Sequence, residues 1–260
     1  MYILAIVSSY RAKGNTLGVV KLIEGEMRQV AARKGEPLRF ETVYLGKYDL
    51  QMCRGCRVCF DIGEHKCPLR DDLLTIKSKM KAADGLILAS PVYVGDVNAP
   101  MKNLIDRLAH VCHRPEFAGK CVYFLATTGG SSTSHAIRTM GATISWGWHM
   151  AGSSGFKTGA RMPHEEIAAR YQKEIYKVAQ KLFTAIQERK YARPSFLSLM
   201  TFKIQQWSYS KADQQTLDYQ YWAGQDWTNP KRQFFIQHTA NPLVVTTARL
   251  VGGMLGRLWA

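Results

Sequence analysis

Four cysteines are packed into one short segment with the spacing Cys53-x2-Cys56-x2-Cys59-x7-Cys67, while Cys112 and Cys121 lie apart. Three thiolates so close together, with a fourth nearby, suit a cubane [4Fe-4S] cluster, whose ligands must converge from a compact loop. A four-thiolate zinc site more often uses two well-separated Cys-x2-Cys knuckles. The residues are also compatible with a cluster-free loop whose thiols are inert, or with redox thiols, and on the sequence these readings stay open. Clustering of this kind points to thiol or metal chemistry in a reducing compartment rather than to a disulfide scaffold.

A second set of residues is built for binding. The turn Ser8-Ser9-Tyr10-Arg11-Ala12-Lys13-Gly14-Asn15-Thr16 follows an apolar run and opens a helix. Backbone N–H groups and the helix dipole therefore converge where an anion would sit. Ser9, Asn15 and Thr16 can add hydrogen bonds to phosphate oxygens, the Arg11 guanidinium can add charge, and Gly14 lets the backbone come close. The plainer reading is an Asn/Thr cap after a polar turn. Further along, Pro91, Val92, Tyr93 and Gly95 form a loop that can hydrogen-bond the edge of a flat ring while Tyr93 covers its face. Thr128, Gly129 and Gly130 supply another polar loop.

These loops need elements to hold them. Residues 2–8, 38–45, 85–90, 120–127 and 145–151 read as strands, and 16–34, 71–82, 98–111, 133–143 and 163–190 as helices between and after them. Leu17, Val20, Ile23 and Met27 line one face of the first helix. Ile167, Tyr171, Ile175, Val178, Leu182 and Ile186 do so on the last, with Pro163 in its first turn. Such alternation calls for a five-stranded, parallel, doubly wound α/β sheet with right-handed crossovers. The polar loops follow strands one, three and four, at the carboxyl edge where open α/β sheets bind ligands.

From Pro194 onward aromatic residues accumulate and the alternation stops, which marks a C-terminal extension. Val244, Ala248, Val251, Leu255 and Leu258 lie along one helical stripe there, interrupted for any membrane-spanning reading by Arg249 and Arg257. This segment could cover the core, dimerise or make peripheral membrane contact. The division is thus 1–190, with a Cys-rich loop at 46–70, and 191–260. Asp71-Asp72 reads as a helix cap, Asp106-Arg107 as ion-pairing residues, and Trp146 and Trp148 as alternating strand residues. His110 and His113 could share a metal with Cys112, though a solvated helix end is the plainer account.

At 260 residues with 46% hydrophobic and 21% charged composition, the chain reads as a globular protein with one main core. Its formal charge of +15 is dispersed and follows no nucleic-acid-binding pattern, so no nucleic acid is expected; anionic cofactors, acidic redox partners and anionic lipids all suit it. No secretory signal is visible at Met1–Val7, and a cytoplasmic location is the default expectation.

The chain resembles the NAD(P)H-dependent FMN reductase group of flavodoxin-like proteins, and especially its iron–sulfur flavoprotein branch, from Tyr2 to about Gln187. The matching segments are Ser9-Tyr10-Arg11-x-x-Gly14-Asn15-Thr16, the cysteine quartet with Asp71-Asp72, Ser90-Pro91-Val92-Tyr93-x-Gly95, Met101-Lys102-x3-Asp106-Arg107 and Thr128-Gly129-Gly130. The resemblance implies a flavodoxin-like sheet of order 2-1-3-4-5 and noncovalent FMN; the extension beyond Pro194, expected to be mainly helical, is longer than a minimal reductase requires. It further implies hydride transfer from NAD(P)H to the flavin, a second acceptor (quinone, nitroaromatic, metal or protein), and a homodimer or tetramer. Relatives with this Cys-rich loop include cluster proteins and proteins in which it is a lid over the flavin. An electron carrier working through a [4Fe-4S] cluster, and a partner- or membrane-docking module, are the alternatives. Departures from the family pattern are Ser8 and Tyr10, where glycine and proline are common, and Asn98, where a small hydroxyl residue is common.

Overall fold

Strand β1 (Tyr2–Val7) is apolar throughout, and its residues from Ile3 to Val7 are wholly buried. A strand covered on both faces must read this way. The computed structural model describes residues 1–159, 162–188 and 193–258. It places β1 between β2 (Arg39–Tyr44) and β3 (Gly85–Tyr93), with β5 (Cys121–Thr128) and β6 (His149–Lys157) beyond. All five are parallel, in the order β2-β1-β3-β5-β6. Counting the long strands alone, this is the expected 2-1-3-4-5. The difference is β4 (Asp96–Val97), a two-residue strand antiparallel to the end of β3.

Helices α1 (Asn15–Arg33) and α5 (His164–Gln187) cover one face. Helices α2 (Leu73–Ala82), α3 (Ala99–Arg107) and α4 (Ser134–Gly141) cover the other. Val20, Ile23 and Met27 of α1 meet Ile175, Val178 and Leu182 of α5 in one core, as their helical spacing predicts. Pro163 is the cap residue of α5 rather than a member of its first turn.

Two expectations are corrected on this side of the chain. The last strand runs over 149–157 instead of 145–151, because Ala142–Trp146 winds as a 3-10 turn and Gly147 reverses the chain with φ +90°. The alternation of Trp146 and Trp148 is therefore that of a turn; both rings are buried beside Phe117. Asp72 is the cap residue of α2 by position but makes no side-chain cap and accepts from the Asp49 N–H; the capping bond comes from Asp71, which accepts from the Leu73 N–H and pairs with Arg107.

The expected boundary at 190/191 lies outside the described residues. Beyond it, α6 (Phe196–Lys211), α7 (Leu217–Gly224) and α8 (Pro242–Leu258) enclose a small core of Phe202, Trp222, Trp227 and Phe235. The stripe expected on α8 is rotated. The buried residues are Val245, Ala248, Gly252 and Gly256, and Leu258 is exposed. The glycines decide this, since a Cβ at Gly252 would lie 2.8 Å from the Met200 carbonyl and one at Gly256 would lie 3.1 Å from Trp207 Cβ. Backbone approach selects the face that hydrophobicity alone does not.

Candidate functional site

A cleft opens at the carboxyl edge of the sheet. Its walls are Ser9, Arg11, Gly14, Asn15 and Thr16 after β1, Pro91, Val92 and Tyr93 at the end of β3, Thr127, Thr128 and Gly129 after β5, and Thr158 after β6. Among the described residues, no acidic residue lines it. Helix α1 begins in this wall with no side-chain cap and no acid in its first turn, so its first N–H groups are left for a ligand.

The loops are fastened from beneath. Asn98 is buried, its amide donates to the Ser8 carbonyl at 2.8 Å, and its Oδ1 accepts from the Ser8 and Ser90 hydroxyls at 2.6 and 3.2 Å. One side chain thus fixes the loops after β1 and β3 together. Thr16 and Thr127 hydroxyls meet at 2.6 Å, joining the loops after β1 and β5. Asn15 spends its amide on the carbonyls of Thr158 and Gly159, so in this structure it ties the first loop to the end of β6. Gly95 and Gly130 do not line the cleft. Val94 and Gly95 form the tip of the β3–β4 hairpin with φ +49° and +85°, and Gly130 N–H turns back to the Thr128 hydroxyl. Val94 is β-branched and fully exposed, so the tip holds backbone strain. Thr127 belongs to the loop the sequence places at this edge, whereas Asn98 and Thr158 were missed by sequence reasoning. Only the family departure at Asn98 hinted at one of them.

All four cysteines of the quartet line one separate pocket, together with Arg54, Arg57, Phe60 and Arg107. The loop reaches this shape through left-handed residues at Gly55, Arg57 and Gly63. Its beginning is held by α3: Asn103 accepts from Cys53 N–H at 3.1 Å and donates to the Leu50 and Gln51 carbonyls, and Arg107 donates to Gln51 at 2.6 Å. Its middle is held by Arg114, which donates to the carbonyls of Cys59 and Phe60 and pairs with Asp218 of α7. Burial pushes the Cys59 thiol up, and Cys67, Cys53 and Cys56 nearby add to that. Zn–S bonds of about 2.3 Å would need sulfurs about 3.8 Å apart. Among the described residues, no three of these thiols fall within 4.8 Å of one another, so they are not gathered at zinc spacing in this structure.

Beside this loop, Glu64, His110 and Glu116 bring ligand atoms within 4.8 Å of one another. The place of a cation is taken by Lys77, whose Nζ donates to Glu64 at 2.7 Å, lies 3.0 Å from His110 Nε2 and pairs with Glu116. Burial and the Lys77 charge hold the His110 imidazole down at about 4. Burial would raise the Glu64 carboxyl, but the hydrogen bond from Lys77 overrides it and brings it to about 2. Both folded values lie below the ordinary 6.5 and 4.5, so the unfolded chain takes up these protons first. Stability contributed by neutral His110 is complete above about pH 6.5 and is lost toward about 4; that contributed by ionised Glu64 is lost between about 4.5 and 2. Urea midpoints should therefore fall steadily from neutral pH into acid, and a flat profile would contradict this assignment. The metal suggested for His110, His113 and Cys112 is not supported: His113 pairs with Asp218 and Cys112 accepts from the Trp146 indole.

The sequence model of a family described as NADPH-dependent FMN reductase matches residues 1–155. An iron-sulfur flavoprotein of Methanocaldococcus jannaschii is 41% identical over 107 residues, 41% of this chain and 51% of that protein. One of Methanosarcina thermophila is 34% identical over 125 residues, 48% of this chain and 63% of that protein. The chain thus spans about half to two-thirds of the length of these relatives. Among solved structures, the NAD(P)H:(acceptor) oxidoreductase of Paracoccus denitrificans superposes with a TM-score of 0.52 at 15% identity, over 72% of this chain and 98% of that one. An oxidoreductase of Corynebacterium diphtheriae does so with a TM-score of 0.51 at 19% identity, over 72% and 98%. At these identities the structural likeness is one of fold.

Proposed function

Because the chain belongs to the NADPH-dependent FMN reductase family, we propose that it is an FMN-dependent oxidoreductase that takes a hydride from NADH or NADPH and passes electrons to a second acceptor. The observation that carries this reading is the acid-free cleft formed by the loops after β1, β3, β5 and β6 around the uncapped start of α1. When bound, FMN supplies the hydride-accepting ring and stores the electrons. This chain's residues bind and orient. Ser9, Arg11, Gly14 and Thr16, with the first N–H groups of α1, hold the phosphate, while Asn15 stiffens that loop. Pro91, Val92 and Tyr93 with Thr128 and Gly129 flank the ring, and Gly95 and Gly130 shape the loops that present them. No side chain is required as an acid or base for hydride transfer.

The second reading makes the same chain an iron–sulfur flavoprotein. It is favoured by four thiols around one cavity and by two relatives that bear that name. Cys53, Cys56, Cys59 and Cys67 would hold a [4Fe-4S] cluster, with Arg107 close to Cys67 at 4.0 Å and α3 and α7 fixing the loop. An absorption spectrum of protein purified without oxygen, followed by NADH and then NADPH, tests both readings. Flavin bands bleached by a nicotinamide are expected. Protein that stays colourless after incubation with excess FMN would overturn the first reading.

A further inference from the structure

Helices α6 and α8 pack against each other, yet neither contains an aspartate or glutamate. Their charges are Lys203, Lys211, Arg249 and Arg257. Lys203 feels both Arg249 and Arg257. On α8 the side toward the core is already used by Val245, Ala248, Gly252 and Gly256. Its other side carries Leu243, Leu250, Met254 and Leu258, which are 75%, 63%, 57% and 79% exposed. Their spacing of seven, four and four residues keeps them on one outward stripe. A helix that is packed inwardly and leucine-rich outwardly presents an apolar patch of the kind that marks an interaction site.

Charge decides what could cover it. A second copy of this chain would bring these cations against their own duplicates, with no carboxylate on either helix to offset them. An anionic lipid surface offers hydrocarbon for the leucines and phosphate for the cations at the same time. The net charge of +15 favours approach to such a surface. Among the described residues, no helix is long and apolar enough to cross a membrane, which leaves a helix lying in the interfacial plane.

We propose that the α6–α8 face docks on an anionic lipid bilayer, with the outward leucines of α8 in the acyl boundary and Arg257 among the headgroup phosphates. This stands whether or not the cofactor assignments hold. The test is flotation of the full chain with phosphatidylcholine vesicles containing about one-third phosphatidylglycerol, against phosphatidylcholine alone. The protein is expected to float with the anionic vesicles only, and less as salt rises. Arg257→Gln should lower partitioning about fivefold, and Leu250→Gln with Met254→Gln should lower it by more than about tenfold. Thermal midpoints should not move, since these side chains are exposed. Failure to float with anionic vesicles, or undiminished flotation of the double variant, would overturn the proposal. So would a dimer in solution that the double variant splits while vesicles are ignored.

Discussion

Arg107→Met is expected to lower the stability of the chain by about 3–5 kcal/mol, measured by urea unfolding. Arg107 and Asp71 have side chains only 2% and 1% exposed. Burial would raise the Asp71 carboxyl, but the hydrogen bond from Arg107 and those from the Leu73 and Gln51 N–H groups hold it below its ordinary range. A methionine fills the space and leaves Asp71 as a buried charge without a counter-ion. It also removes the 2.6 Å hydrogen bond to the Gln51 carbonyl, which then keeps only the Asn103 amide as donor. Adding Asp71→Asn removes the stranded charge and keeps one acceptor oxygen, for either the Leu73 or the Gln51 N–H, and should restore about 1–2 kcal/mol of the loss. If the double variant is no more stable than Arg107→Met alone, the pair is not what holds this part of the structure.

Single serine substitution of Cys53, Cys56, Cys59 or Cys67 is expected to reduce iron and acid-labile sulfide from about four of each per chain to a small fraction, because a cubane shared by four thiolates is not retained by three in a loop this exposed. Cys53 and Cys56 are exposed and the other two half-buried. Cys112→Ser should leave the content unchanged, since Cys112 does not line the cavity. Flavin retention should survive all five substitutions, because the cysteine cavity and the phosphate-side cleft share no lining residue. Wild-type protein purified without oxygen and free of iron would make the loop a cluster-free lid, and zinc in its place would make it a four-thiolate zinc site.

The sheet was legible because β1, β3 and β5 are buried on both faces and must therefore be continuous apolar runs. The loops of the cleft were legible because anion binding needs glycine, hydroxyl and guanidinium groups at a strand end. What was not legible depends on partners distant in sequence. Asn98 reaches back ninety residues to Ser8, and Asn103 and Arg107 reach back about fifty to the start of the Cys loop. Arg114 meets Asp218 across 104 positions. No local spacing encodes these contacts. The rotation of α8 escaped for another reason: a hydrophobicity pattern ranks leucine above glycine as a core residue, whereas Gly252 and Gly256 are buried because they are small.

The ammonium of Lys77 stands among two carboxylates and an imidazole in a setting that elsewhere receives a dissociable divalent ion. A covalently leashed guest has no exit. Dilution cannot empty that nest and a chelator cannot strip it, so any loss that chelation inflicts on this protein must begin somewhere other than the carboxylate cluster.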